Sequence, residues 1–281
     1  MSVPVLGSLN KLKTLANSFE ASEKMPVLFI GHGSPMNAIE DNEFVQEFRN
    51  QAKKLQKPKA IIVISAHWET RGTFVTSMEN PRTIHDFGGF PKELYEEQYP
   101  APGHPTLARE LTDIVDPKGT IQTDDKWGLD HGAWTVLKHF FPDADVPVIQ
   151  LSLDYTKPAK YHYELAQQLK NLRKKGILIV GSGNIVHNLR KVAWNKINEP
   201  YAYDWAEEAN SKMKEWIASE NHQALIDFEN QGKAFDLAIP TAEHYLPLLY
   251  TLGLKDENDE TLLFNDQPLG GSLSMTSFKF G

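Results

Sequence analysis

Ala60-Ile61-Ile62-Val63-Ile64-Ser65 is a near-continuous run of apolar, mostly β-branched residues, followed directly by Ala66-His67-Trp68. A run without polar alternation suits a strand covered on both faces, the pattern of parallel sheets with helices above and below. Met25–Ile30 repeats it and leads into Gly31-His32-Gly33-Ser34-Pro35. Val146–Leu153 and Ile177–Val180 are two more such runs, the second opening into Gly181-Ser182-Gly183-Asn184-Ile185-Val186-His187-Asn188. Between them the period becomes helical: Asp41–Leu55 with Asp41 as cap, Pro105–Val115, Trp134–Phe141, and His162–Lys174 closing at Gly176. Further helices are expected over Tyr203–Ser219, over Gln223–Asn230, and from a Thr241 cap through Leu252. Gly72–Ser77 and Thr120–Thr123 read as short strands, and Gly271–Phe280 alternates like an edge strand. Strands alternating with helices predict one α/β domain over residues 25–281, with a mostly parallel or mixed central sheet and helices on both faces. Residues 1–24, polar and mixed in charge, read as an N-terminal extension.

Composition narrows the chemistry. The 281 residues include no cysteine, which excludes disulfides, thiolate metal sites and a cysteine nucleophile. A net charge of −8 argues against a nucleic-acid partner, since phosphate neutralisation needs clustered cations. The basic run Arg173–Lys175 reads as a solvated helix end. No apolar stretch has the roughly 20 residues of a membrane span, and the N-terminus has no secretory pattern, so a cytoplasmic protein without a membrane partner is expected.

Ligand sites in such sheets gather at the carboxyl ends of the strands, and His32, His67 and His187 all follow predicted strand ends. His131, in Gly128-Leu129-Asp130-His131-Gly132, and His244, in Thr241-Ala242-Glu243-His244-Tyr245, complete five histidines in turn or glycine-bearing contexts. The glycines flanking His32 are expected to let other groups approach the backbone there, a suitable place for a metal ligand. Imidazoles plus a carboxylate, without thiolates, suit one Fe(II), Mn(II) or Zn(II) ion. The irregular Thr83–Pro102 stretch holds Ile84-His85-Asp86-Phe87-Gly88-Gly89-Phe90 and could wall a pocket. Other templates fail: Ser34 and Ser182 lie outside any Gly-x-Ser-x-Gly elbow, the Gly181 turn has neither the dinucleotide glycines nor a P-loop lysine, and His-Glu-x-x-His is absent.

Taken in order, Gly31–Pro35, Ser65–Trp68, Ile84–Phe90, Asp130–Gly132, Gly183–Asn188 and Pro240–Leu249 resemble the class III extradiol ring-cleaving dioxygenases. The likeness is to the branch that cleaves DOPA at its 4,5 bond, and it spans about Met25 to Gly281. The resemblance implies a non-haem metal enzyme, Fe(II)-dependent, that opens a small catechol with O2; Zn(II) would be plausible in isolated protein. His32 and His67 match the first two ligands, and His244, with Glu243 as the alternative, falls where the third is supplied. His187 matches the acid/base histidine or a fourth ligand, and His131 a second catalytic pocket histidine. Trp68, His85, Phe87 and Tyr245 are the candidate substrate contacts. Two other readings keep the scaffold: a zinc-dependent hydrolase, in which the metal activates water, and a non-enzymatic metal-binding protein. The oligomeric state is not legible.

Overall fold

The computed structural model describes residues 24–115, 120–197 and 199–281; the expected extension, Lys24 apart, lies outside them. In chain order the elements are β1 Val27–Gly31, α1 Glu43–Ala52, β2 Ala60–Thr70, β3 Thr73–Thr76, α2 Lys92–Glu96, α3 Pro105–Val115 and β4 Ile121–Asp124. They continue as α4 His131–Phe140, β5 Val148–Asp154, α5 Ala159–Leu169, β6 Ile177–Gly183, α6 Asp204–Ala218, α7 His222–Ile226 and α8 Lys233–Ala238. The chain closes with α9 Leu246–Leu254, β7 Thr261–Phe264, β8 Pro268–Leu269, β9 Leu273–Ser274 and β10 Ser277–Phe280.

Eight strands form one sheet in the order β4-β3-β5-β2-β6-β1-β10-β7. Its centre, β5-β2-β6-β1, is parallel, whereas β10 pairs antiparallel with both β1 and β7. The sheet is therefore mixed, and every residue of β1, β5 and β6 is buried, as the uninterrupted apolar runs require. Alternate residues serve opposite faces: Val27, Phe29, Ile62, Ile64 and Ile179 pack with α5, α6 and α9, while Leu28, Ile30, Ile61, Val63 and Val180 pack with α1 and α4. Helix α9 is buried along its whole length, which explains why Leu246–Leu254 carries no polar stripe.

Several expectations are corrected. Asn42, not Asp41, caps α1, its Oδ1 accepting from the Val45 N–H at 3.1 Å. Thr241 caps nothing; its hydroxyl donates to Glu243 Oε1 at 2.9 Å, and α9 begins only at Leu246. The expected edge strand Gly271–Phe280 divides into β9 and β10, and β10 lies inside the sheet because β7, which carries no clear periodic signal, forms the edge. Arg173 is fully buried rather than solvated: its guanidinium donates to the carbonyls of Met25 and Leu254 at 2.8 Å and to Asp259 Oδ2 at 2.5 Å. The Gly176 stop is as expected, left-handed with φ 81°, although Lys170–Lys175 is a 3-10 turn and not a continuation of α5.

His67 lies within β2, not beyond it. Ile64 pairs with Leu151 and Glu69 with Leu153 on β5, so Ser65–Trp68 stand opposite Ser152 alone. The surplus residues bulge and turn His67 out of the ladder, a use of irregularity common beside functional sites.

Candidate metal centre

His32 follows β1 directly, and its N–H donates to the Gly183 carbonyl at the end of β6 at 3.2 Å. His67 stands on the bulge of β2, with its Nε2 3.1 Å from His32 Nε2. His131 opens α4, whose cap Asp130 accepts from Ser65 Oγ at 2.6 Å, Gln150 Nε2 at 2.7 Å and the Ala133 N–H at 3.2 Å. Burial, followed by the charge of Asp86, raises the pKa of Asp130, which sits beneath the histidines with no exposed surface. His187 is fixed by its backbone N–H on the Ala238 carbonyl at 2.9 Å. His244 is held by its own carbonyl, which accepts from the Asn184 N–H at 2.9 Å.

These five imidazoles meet. Ring centroids are 5.0 Å apart for His32 and His67, 3.8 Å for His67 and His131, 5.3 Å for His32 and His244, and 5.0 Å for His67 and His244. His187 stacks on His244 at 3.5 Å and 10°. Two sets have ligand-capable atoms within 4.8 Å of one another: His32, His67 and His131, and His187, Glu243 and His244. The expected carboxyl-end site is thus where the strand topology converges, with His131 brought against His67.

The hydrogen-bond network dictates which nitrogen each ring presents. Ser182 Oγ donates its only hydrogen to the Gly132 carbonyl at 2.6 Å, so at 3.1 Å from His32 Nδ1 it can only accept. His32 therefore carries its proton on Nδ1 and turns a bare Nε2 to His67. His131 Nδ1 lies 2.9 Å from Asp86 Oδ2, and His244 Nδ1 lies 3.1 Å from Glu243 Oε1. Carboxylates only accept, so in its neutral form each of these rings carries its proton on Nδ1 and leaves Nε2 bare. A histidine whose far nitrogen is committed to an acceptor is the usual form of a metal ligand.

Electrostatics agree. Burial, then the neighbouring imidazoles, holds His32 and His244 well below the ordinary histidine value; burial, then His131, lowers His67 to about 3. Burial lowers His187 to about 4. All four rings are neutral at physiological pH, the state in which imidazole coordinates a cation. The donor set fits a borderline divalent ion: imidazole nitrogens, two of the rings backed by carboxylates, and no sulfur.

The expected substrate contacts divide. Phe87 packs edge-to-face with His131, centroids 5.6 Å apart, and with His85, 5.7 Å apart. His85 is turned to the loop, with its Nε2–H on the Glu97 carbonyl at 2.9 Å. Trp68 lies flat on Trp127, 5.8 Å away at 4°, buttressing the bulge. Tyr245 does not wall the site: it is fully buried against Phe228, and its hydroxyl donates to the Leu225 carbonyl at 2.8 Å. The glycines flanking His32 are also explained otherwise, since a Cβ on Gly31 would lie 2.6 Å from the Met275 backbone and one on Gly33 2.4 Å from the Met275 sulfur. They make room for the C-terminal segment, not for a ligand. Asp86, Asp130 and Ser182 stand in the quoted motifs, yet their supporting roles depend on partners 45 to 150 residues away.

Residues 26–272 match the family model described as the catalytic LigB subunit of aromatic ring-opening dioxygenase. Among curated proteins, a "4,5-DOPA dioxygenase extradiol" of Escherichia coli is 46% identical over 265 residues, covering 93% of this chain and 96% of its own. A protein of the same name from Beta vulgaris is 37% identical, covering 90% and 95%. Among solved structures, an uncharacterized protein from Escherichia coli K12 superposes with a TM-score of 0.77 at 40% identity, covering 92% of this chain and all of the other. Among the described residues no helix is long and apolar enough to cross a membrane.

Proposed function

The chain belongs to the family of the catalytic LigB subunit of aromatic ring-opening dioxygenases, and we propose that its histidine cluster holds one Fe(II) and opens DOPA, or a catechol of that kind, next to its two hydroxyls. The observation that carries this reading is the convergence of five imidazoles, three of them with Nε2 left bare by committed Nδ1 partners. His32, His67 and His244 are the ligands in this reading. Glu243 then serves as the carboxylate behind His244, because its Oε1 already accepts the His244 Nδ1–H.

When bound, such a metal supplies the acidity that ionises a catechol and the electronic path between ring and O2. The protein's own groups do the remainder. His187 is neutral at working pH, so its ring can take a hydroxyl proton from the catechol and later return it. His131, fixed by Asp86 and packed against His67, offers its other ring nitrogen, suited to hold the second hydroxyl by accepting its hydrogen bond. The apolar ring of Phe87 lies beside it, which excludes water from one side of the pocket.

Protein loaded anaerobically with Fe(II) should take up O2 on addition of L-DOPA and form a yellow semialdehyde. Zn(II)-loaded protein should not. Hydrolysis by the Zn(II) form without any catechol oxidation would favour the hydrolase.

A further inference from the structure

The aromatic loop is pinned without help from Asp86. Its Ile84 N–H donates to the Leu129 carbonyl at 2.7 Å, its Ile84 carbonyl accepts from Trp134 Nε1 at 2.9 Å, and His85 is tied to Glu97 at 2.9 Å. Asp86, between His85 and Phe87, spends its carboxylate on one residue. Oδ1 accepts the His131 backbone N–H at 2.8 Å and Oδ2 accepts the His131 Nδ1–H at 2.9 Å. The same Oδ2 lies 3.6 Å from His67 Nδ1, outside hydrogen-bond reach.

We infer that Asp86 is a positioning residue for the reaction: its two-pronged grip locks His131 as the Nδ1–H tautomer and aims the bare Nε2 at the space bounded by His32 and His67. The effect on turnover rests on the ring-opening reading above; the tautomer does not. A carboxylate suits this task because both donors it meets belong to His131 and both need an acceptor. An amide there has one oxygen only. In Asp86→Asn the backbone N–H, which can only donate, claims that oxygen, and the NH2 faces the ring. Nδ1 must then be bare and the proton must move to Nε2, the nitrogen that should accept. The loop, held by its other bonds, stays in place.

The test is nitrogen-15 NMR of histidine-labelled, metal-free and substrate-free protein, with the His131 ring assigned by through-bond correlation. The wild type should show His131 as Nδ1–H, Asp86→Asn as Nε2–H, and Asp86→Glu should restore Nδ1–H. In Fe(II)-loaded enzyme kcat of Asp86→Asn should fall about 10- to 100-fold, the usual scale for a supporting partner, with KM moving less. An Nε2–H ring in the wild type would overturn the inference even if no variant folds. So would an Asp86→Asn protein that keeps Nδ1–H or the wild-type kcat. The spectra need neither metal nor catechol, so they decide the point even if the protein turns over no catechol.

Discussion

A Cβ on Gly183 would lie 2.1 Å from the carbonyl oxygen of His244, and that oxygen accepts the hydrogen bond that fixes His244 beside the other rings. Gly183→Ala should therefore displace the histidine more than it unfolds the protein. Zn(II) titration of the purified variant should show affinity reduced by at least about 10-fold while the thermal transition persists. Ser182→Ala removes the acceptor that keeps the proton of His32 on Nδ1. Its metal affinity should drop about 10- to 100-fold, and chelator competition measures it. Unchanged affinity would mean that the His32 tautomer is set by something else. At this scale the five histidines were legible because each sits in a turn or glycine-bearing context. Tyr245 departs from the expectation because only its neighbour His244 points to the site, whereas Tyr245 itself turns into the core beside Phe228. Nothing local distinguishes the two.

At the scale of elements, buried strands and amphipathic helices could be read from period alone, and α3 runs over Pro105–Val115 as expected. Where the reading failed, a distant partner decides. Among the described residues β7 pairs only with β10, and its apolar Leu262-Leu263-Phe264 is too short to show a period and stays mostly exposed, three of the four residues of the strand lying on the surface. The bulge at Ser65–Trp68 is invisible in the sequence because its cause is the mismatch with β5, not its own composition. α1 begins one residue later than the sequence suggests, since Asp41 and Asn42 are both good caps and only the Asn42 bond to Val45 separates them. Asn42→Ala should lower stability by about 1 kcal/mol in urea unfolding, with turnover unchanged. Loss of activity instead would place this helix start in the function of the site.

Across the whole molecule one buried cation joins distant parts of the chain. Arg173 binds the Met25 carbonyl just before β1, the Leu254 carbonyl at the end of α9, and Asp259, whose carboxyl is held down to about 2 against its burial by Arg173 and Lys24. Arg173→Met would leave Asp259 a buried charge with its main partner gone, and should cost about 3–5 kcal/mol, read by urea unfolding. The buried imidazoles set the response to acid. His162 and His187 are each lowered from 6.5 to about 4 by burial, so between those values the unfolded chain binds protons that the folded protein refuses. Stability of the metal-free protein should be full above pH 6.5, decline as the pH falls, and level off with respect to these groups below about 4. Thermal unfolding across that range checks it; a flat profile would mean that the rings are already charged in the fold.

The reaction itself is tested most directly with an oxygen electrode. Anaerobically Fe(II)-loaded protein, mixed with L-DOPA in air-saturated buffer, should consume one O2 for each catechol lost and yield a yellow semialdehyde, while His67→Ala, prepared in the same way, should consume none above background. An Fe(II)-loaded wild-type protein that takes up no O2 with L-DOPA or any member of a broad catechol panel would contradict the account.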